Sequence, residues 1–325
     1  MPERGRLVVV CQVTEACNLG CAFCAYDRRL SRPRESADPG RLLRLAGALS
    51  ERQRHTGQAT LLSWLGGEPL LWPPLGALDA QCRRLGLELG VTTNGTTLGS
   101  PAVRAHLLAH YAEVTVSVDG LGALHDGLRA WPGGFAFLRR TVGALAAEKR
   151  ARGQGPLLRA NVVLMRDTVR GLRALALELA AWGIEELTFN QLGGRDRPEF
   201  YPGHRLRADD VMHLRATLPA LRAELAGHGL RLLGGGRYLD RMAATTAARP
   251  LGVADCGAGQ RFLFVALDGR LSPCSFTTEA LGIPMESVAP PALAEGFAAA
   301  RVARRPLACD DCHSTQVFGK FERGA

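Results

Sequence analysis

The sequence predicts an α/β fold in which parallel strands curve into a full or partial barrel. Up to about residue 230, short β-branched runs alternate with amphipathic helical stretches, and each run closes on a turn-forming or polar residue. The alternation gives six strand–helix units in a row. Such units form a parallel sheet with right-handed crossovers, which favours a barrel.

The individual elements follow from this pattern in chain order. The predicted strands are Leu7–Thr14, Thr60–Leu65, Leu87–Thr93, Glu113–Val118, Leu158–Leu164 and Glu185–Asn190. Helical patterns lie near 40–54, 74–85, 101–110, 135–151, 169–182 and 208–227. Three glycines at 234–236 mark a hinge near 229–252, and Asp268-Gly269 turns a hairpin made of Arg261–Ala266 and Arg270–Pro273. We therefore expect a barrel over residues 1–230, followed by a linker and a smaller domain over 231–325.

The composition is that of a soluble enzyme, with 46% hydrophobic and 22% charged residues. No apolar run approaches the ~20 residues of a membrane-spanning helix, and Leu7–Val10 is too short for a signal-peptide core. We therefore expect a cytoplasmic protein, in which nine cysteines indicate metal or redox chemistry rather than disulfides. The net charge of +9 comes from scattered arginines without interleaved aromatic residues, so nucleic acid is an unlikely partner.

Three cysteines, Cys17, Cys21 and Cys24, follow directly after the first predicted strand. Three thiolates can hold three irons of a cubane cluster and leave one iron open to an incoming ligand. A structural zinc site would want a fourth ligand, and no other Cys or His lies nearby in sequence. The spacing, with Phe23 before the last cysteine, resembles the signature of the radical S-adenosylmethionine (radical SAM) superfamily.

Polar segments follow the next three strands as well, where a barrel would gather them at one mouth. They are Gly66-Gly67-Glu68-Pro69, Thr92-Thr93-Asn94-Gly95 and Ser117-Val118-Asp119-Gly120. The first is similar to the superfamily's GGEP segment: glycines permit close backbone approach, and the Glu68 carboxylate can pair with an α-ammonium group. Taken singly, each segment is equally well an ordinary turn. The resemblance implies these cofactor-binding residues: Phe23, Gly66, Gly67, Glu68, Pro69, Thr93, Asn94, Ser117, Asp119, Asn161 and Leu192.

The resemblance implies a partial (β/α)6 TIM-like barrel followed by a small Cys-rich α+β domain. It also implies an oxidoreductase or related radical enzyme that binds S-adenosylmethionine (SAM) on a [4Fe-4S] cluster at the three cysteines. An external one-electron reductant, flavodoxin-like or ferredoxin-like, would drive cleavage of SAM to methionine and a 5′-deoxyadenosyl radical, which takes hydrogen from a substrate. The cofactor carries the difficult chemistry, and the protein supplies positioning and exclusion of water.

A second set of cysteines comprises Cys256, Cys274, Cys309 and Cys312. Their spacing alone suits zinc and iron–sulfur equally. With Gly269 before the second cysteine, the set resembles the opening of the SPASM extension of radical SAM enzymes. Since no cysteine follows Cys312, it resembles the shorter Twitch type, which implies one auxiliary [4Fe-4S] cluster on these four residues. Four cysteine ligands leave no vacant iron, so we expect electron transfer and a net oxidation.

The loop after the sixth strand carries two guanidiniums and two carboxylates, on Arg195, Asp196, Arg197 and Glu199. These could clamp a polar substrate by bidentate contacts. The alternative is a solvated loop whose charges pair with each other. We expect these four residues to be catalytic residues at the barrel mouth.

His125, Asp126 and Arg129 lie in a segment similar to the HDxxR segment of SPASM-type enzymes. His125 could act as a proton carrier near neutral pH. The alternative is that Asp126 caps the following helix while the other two face water. The isolated Cys11 and Cys82 are expected to be small buried hydrophobes.

The sequence leaves three functions open. The leading interpretation is an enzyme of specialised metabolism that oxidises a polar small molecule. The alternative is a maturase that modifies a ribosomally made peptide, although only six residues precede the first strand, so we expect no peptide-recognition domain before the barrel. A third interpretation is a zinc-stabilised binding module without catalysis.

Overall fold

A ten-stranded sheet runs through the computed structural model, which describes residues 5–257, 259–287 and 293–322. Its strands are β1 (Leu7–Thr14), β2 (Thr60–Gly66), β3 (Glu88–Thr93), β4 (Glu113–Ser117), β5 (Leu157–Leu164), β6 (Glu186–Gln191), β7 (Arg231–Leu232), β8 (Phe262–Val265), β9 (Arg270–Ser272) and β10 (Ile283–Pro284). The order across the sheet is β10-β9-β8-β1-β2-β3-β4-β5-β6-β7. In this order, every neighbouring pair from β8 across to β7 is parallel. The pairs β8–β9 and β9–β10 are antiparallel.

Helices connect the parallel strands, as the alternating pattern predicts. They are α1 (Pro39–Thr56), α2 (Leu75–Arg84), α3 (Pro101–His110), α4 (Gly122–Arg129), α5 (Gly134–Arg152), α6 (Leu172–Trp182), α7 (Tyr201–His204), α8 (Ala208–Gly227), α9 (Gly236–Thr246), α10 (Thr278–Leu281) and α11 (Leu293–Arg304). The α1 helix begins where the Asp38 side chain accepts a hydrogen bond from the Arg41 amide, and ends at Gly57 in the left-handed region. The predicted α/β fold is confirmed. Nowhere in the described part of the chain is a helix long and apolar enough to cross a membrane.

The sheet is curved, and its concave face carries charged and polar side chains among apolar ones. In β1, Leu7, Val9 and Cys11 are fully buried and belong to the hydrophobic core, so Arg6 points to the opposite face. Arg6 forms ion pairs with Glu88 of β3 and Glu113 of β4. In a flat sheet β4 would lie about 14 Å from β1, too far for one side chain. The contacts therefore require the sheet to curl around this face.

A layer of ion pairs closes the concave face at the amino ends of the strands. Arg159 of β5 pairs with Glu113 and with Glu186 of β6, and Arg231 of β7 also pairs with Glu186. Both carboxylates are buried, and each has two arginine partners. This charged floor leaves the opposite end, where the strands finish, as the open mouth.

The segment 229–252 is more regular than the predicted hinge. It contains β7, which extends the sheet beside β6, and α9, which packs against α8. The prediction of a linker here was wrong because the three glycines hid the helical spacing of Tyr238, Leu239 and Met242, all buried. The predicted hairpin is present as β8 and β9, and β8 pairs with β1, so the hairpin continues the barrel sheet.

Candidate active site

The loop after β1 brings three thiols together. The Cys24 amide donates to the Cys21 carbonyl at 3.1 Å, which holds these two residues on one turn. Burial raises the pKa of the Cys21 thiol to about 12, while the nearby Arg129 charge opposes the rise and Cys24 and Cys17 add to it. In the described residues no group of three His, Cys, Asp or Glu side chains already stands in metal-ligand geometry. The argument that these residues could hold an iron–sulfur cluster therefore rests on their chemistry. Three soft thiols lie close enough to raise one another's pKa, and a buried cation lies beside them.

The loop lies directly against the end of β2. The Gly67 amide donates to the Thr14 carbonyl at 2.7 Å, and the Glu68 amide donates to the Ala16 carbonyl at 2.8 Å. A Cβ atom at Gly66 or Gly67 would overlap those same two carbonyls. The two glycines are therefore required because the backbone of the cysteine loop packs onto them.

Glu68 joins the end of β2 to the end of β3. Its fully buried carboxylate accepts hydrogen bonds from the Thr93 hydroxyl at 2.7 Å, the Asn94 amide at 2.6 Å and the Leu70 amide at 3.1 Å. Burial raises its pKa to about 7, against the effect of these hydrogen bonds. Since the carboxylate is committed inside the protein, these contacts give no support to its predicted pairing with an α-ammonium group. Pro69 is buried and begins a short 3₁₀ turn.

Asn94 connects β3 to the cysteine loop. Its side-chain amide donates to the Cys17 sulfur at 3.7 Å and to the Asn18 side-chain oxygen at 2.9 Å. The ends of β1, β2 and β3 thus meet, as the barrel order predicts. Ser117 of β4 and Asn161 of β5 are paired in register and half-buried on the concave face, and Leu192 is buried just after β6.

Asp119 is fully buried and committed to other protein groups. Its carboxylate pairs with Arg129, with the Arg129 Nε atom at 2.7 Å, and also accepts from the Val163 amide at 2.7 Å. The Arg129 guanidinium lies 5.7 Å from the centre of the Phe23 ring. The alternative in which Arg129 faces water does not fit, because Arg129 is buried and its charge acts on the thiols of Cys21 and Cys24.

His125 is equally inaccessible. Its Nδ1 accepts from the Asp119 amide at 3.2 Å, and its ring lies near Trp131 and Phe135. Its Nε2 is buried and has no hydrogen-bond partner among the residues that the structure describes. Burial lowers its pKa to about 4. Neither a proton carrier nor a solvent-facing residue fits this environment. Asp126 does cap the following helix, since its carboxylate accepts from the Gly133 and Phe135 amides at 2.7 and 2.8 Å.

The charges of the loop after β6 pair with each other and with their surroundings. Arg197 pairs with Glu199 and with the buried Asp27, at 3.0 Å from the latter. Arg195 pairs with Asp196 at 3.3 Å. The Arg195 guanidinium also lies 4.6 Å from the centre of the Phe276 ring. The alternative of mutually paired charges therefore describes this loop, with Arg195 the more exposed of its two arginines.

The second set of cysteines lines a single cavity of about 310 Å³. Cys309 and Cys312 are buried, and the Cys312 amide donates to the Leu251 carbonyl at 3.0 Å. Burial raises the pKa of the Cys312 thiol to about 11, and the other three thiols add to the rise. Four thiols around one cavity form a donor set that fits either an iron–sulfur cluster or zinc.

The CxxC turn is fixed from outside by a residue that sequence reasoning missed. Arg241 of α9 is buried and pairs with Asp311, which lies between the two cysteines of the turn. Asp311 also accepts a hydrogen bond from the Leu251 amide at 3.1 Å. The only sequence signal was an arginine in a segment that otherwise reads as a linker.

Comparisons with known proteins agree with this geometry. Residues 11–149 match the family model of the radical SAM superfamily. The PqqA peptide cyclase of Xanthomonas campestris pv. campestris (strain B100) is 29% identical over 332 residues, which cover 96% of this chain and 80% of that protein. The pre-heme d1 synthase of Dinoroseobacter shibae is 29% identical over 245 residues, which cover 72% of this chain and 56% of that protein.

Among solved structures, Streptococcus suis SuiB bound to the precursor peptide SuiA aligns with a TM-score of 0.65 and 15% identity. The alignment covers 90% of this chain and 65% of SuiB, so the chain spans slightly less than two thirds of that protein. This likeness shows a shared fold. Residues 11–149 therefore form a radical SAM domain, which implies an enzyme with SAM and a [4Fe-4S] cluster as cofactors.

Proposed function

We propose that this chain is a peptide maturase that binds its catalytic [4Fe-4S] cluster through Cys17, Cys21 and Cys24. The observation that carries the cluster assignment is the convergence of the cysteine loop, the Gly66–Glu68 segment and Asn94 at one end of the sheet. When bound, the cluster and SAM supply an electron and a 5′-deoxyadenosyl radical. The protein's own residues hold the thiols, exclude water and orient the substrate.

Similarity to the PqqA peptide cyclase supports a peptide as substrate, because it extends over 96% of this chain. The fold shared with SuiB, a protein solved with a precursor peptide, agrees with that choice. Oxidation of a small molecule is the second candidate. The likeness to pre-heme d1 synthase favours it, although that similarity covers a smaller part of the chain.

Four side chains in this site act as positioning residues. Glu68 ties β2 to β3, and Asn94 ties β3 to the Cys17 thiol. Arg129 places a positive charge beside Cys21 and Cys24, which favours their thiolate forms, and Asp119 neutralises and orients that arginine. Ser117 and Asn161 stand half-buried on the concave face, where they could meet SAM or the substrate.

We further propose that Cys256, Cys274, Cys309 and Cys312 bind one auxiliary [4Fe-4S] cluster in the cavity that they line. Four ligands leave no open iron, so this cluster would accept the electron left after a hydrogen atom and a proton leave the substrate. The reductant that drives SAM cleavage would be a separate flavodoxin-like or ferredoxin-like protein.

Anaerobic reconstitution with iron and sulfide tests both assignments. We expect about eight irons per chain for two four-iron clusters, and about four after alanine replaces either set of cysteines. The first-set variant should form no 5′-deoxyadenosine under dithionite, while Cys82→Ala, an isolated buried thiol, should behave as wild type. Formation of 5′-deoxyadenosine by the first-set variant, or zinc in place of the second cluster, would contradict these assignments.

The choice of substrate is tested separately. The reconstituted enzyme is incubated with SAM, reductant and each short peptide encoded beside its gene, and the products are measured by mass spectrometry. Loss of two hydrogen atoms from one peptide supports the maturase. Peptides that stay unchanged while a small polar metabolite loses the same mass would favour the second candidate.

A further inference from the structure

A lysine from the carboxyl-terminal segment reaches the concave face of the barrel. The Lys320 Nζ atom donates to the Asn161 side-chain oxygen at 2.9 Å, and the residue is only 8% exposed. Its backbone is anchored, because the Lys320 amide donates to the Thr315 carbonyl at 3.0 Å. The Gly234 amide likewise donates to the Glu322 carbonyl at 3.0 Å, which fixes the end of the described segment beside β7. Lys320 is therefore a built part of the barrel interior.

Among the described residues, no carboxylate forms an ion pair with Lys320. The charged group that faces it is the Arg159 guanidinium of β5, whose own partners are Glu113 and Glu186. Burial lowers the pKa of Lys320 to about 7, and Arg159 adds to the effect. A buried ammonium group without an anionic partner is unfavourable, and an incoming anion would relieve that cost.

The residue type is unusual in this chain. Of 40 Lys and Arg residues only two are lysines, Lys149 and Lys320, and the first pairs with Glu185. An arginine would carry a fixed charge on a broad planar group, whereas an ammonium group is compact and gains or loses its proton readily when buried. The chain therefore places its readily titrated cation inside the barrel.

A polar group beside Lys320 also lacks a partner. Asn190 of β6 lies next to Asn161, with 3.5 Å between the Asn190 side-chain nitrogen and the Asn161 side-chain oxygen. The Asn190 side-chain oxygen is buried and accepts no hydrogen bond from any described residue. Both asparagines and Ser117 are only half-buried, so this part of the concave face opens toward the mouth. Here the Lys320 ammonium group can donate to an anion, and the Asn190 side-chain oxygen can accept from an N–H group of a ligand.

We propose that Lys320 and Asn190 form a subsite for a substrate carboxylate that lies near an amide N–H. The ammonium group binds the carboxylate, and the Asn190 oxygen accepts the N–H. This inference deepens the proposed function and rests on it, because a peptide offers such a group at its carboxyl terminus and at acidic side chains.

Nitrogen-15 labelling at lysine Nζ tests the subsite in the full-length protein without turnover, and two lysines give at most two signals. N-acetylglycine presents a terminal carboxylate, and N-acetylglutamic acid amide presents a side-chain carboxylate. We expect at least one of them to shift the Lys320 signal saturably below pH 7, with the shift weakening above it. Neutral N-acetylglycinamide should shift nothing, and the Lys149 signal should not move.

An unresponsive Lys320 signal overturns the proposal, as does an equal response to the neutral amide. Which of the two carboxylate compounds shifts the Lys320 signal shows whether the subsite binds a chain terminus or an acidic side chain. Lys320→Met should raise the KM for the identified substrate roughly tenfold or more, whereas Lys149→Met should leave that KM at the wild-type value. If no substrate is turned over, the proposed function fails while the labelling result still stands, so the two failures are distinguishable.

Discussion

The Arg129 guanidinium and the Asp119 carboxylate form an ion pair that is almost completely excluded from solvent, with Nε and Oδ2 2.7 Å apart. The pair joins the carboxyl end of β4 to α4, and its positive end lies beside the thiols of Cys21 and Cys24. It therefore links the stability of the barrel mouth to the charge of the cysteine loop.

Replacing Arg129 by methionine should lower both the stability of the barrel mouth and the iron binding of the cysteine loop. Asp119 would remain buried without its cation, which costs about 3–5 kcal/mol. The thiols would lose the charge that favours their thiolate forms, so reconstituted iron per chain should fall. Urea unfolding of the apoprotein and an iron assay measure the two effects. As a control, Arg139→Met breaks the exposed pair with Glu178 and should cost less than about 1 kcal/mol. An R129M protein of unchanged stability would refute the argument.

Gly66→Ala and Gly67→Ala should each disrupt the cysteine loop. The added methyl group overlaps the Thr14 or the Ala16 carbonyl, so the backbone that carries the cysteines must move. We expect loss of iron binding at the first site with the second site still loaded. Gly143→Ala is the matched control: it lies within α5 with open space around its Cα, and should stabilise the protein by about 0.5–1 kcal/mol. Full iron loading in both loop variants would contradict the proposed packing.

His125 should make the apoprotein sensitive to acid. Folding lowers its pKa from about 6.5 to about 4 by burial, so the unfolded chain takes up a proton that the folded chain resists. The stabilisation is complete above pH 6.5 and is lost as pH falls toward 4, by up to about 3 kcal/mol. Free energies of unfolding at pH 4.5 and 7 for wild type and His125→Phe isolate this contribution, because other titrating groups cancel in the difference.

The variant should therefore show a smaller loss of stability in acid than the wild type. His228→Gln, at an exposed position after α8, should keep the wild-type profile. If His125→Phe and wild type lose stability in parallel between these pH values, folding does not lower the pKa of His125.

Local patterns sufficed to predict strands β1 to β6 and the longer helices between them, because each has the hydrophobic spacing of its type, but they missed β7, α4 and α9. They also placed the three cysteines and the glycines after β2 at one mouth. What they could not give were the side-chain partners: Arg129 with Asp119, ten residues away, and the distant pairs Arg241 with Asp311 and Lys320 with Asn161. Such pairs depend on which side chains the closed sheet turns toward each other, and no local periodicity encodes that.

The two arginines of the loop after β6 should separate stability from substrate binding. Arg197 is 17% exposed and contacts the buried Asp27, which Arg29 also holds, so Arg197→Met should destabilise the apoprotein by about 1–2 kcal/mol. Arg195 is 59% exposed, and its contacts with described residues are Asp196 and the segment around Phe276, so Arg195→Met should cost less than about 0.5 kcal/mol.

Substrate binding should depend more on Arg195 than on Arg197, which is the opposite of their order in stability. Arg195 projects where the loop meets the segment that follows Cys274, so a substrate entering between them would meet its guanidinium. We expect Arg195→Met to raise the KM for the identified substrate, while the rate of 5′-deoxyadenosine formation without substrate stays at the wild-type value. Arg195→Lys keeps the charge and should recover part of the loss. Equal KM values for wild type and R195M would assign this arginine to the surface alone.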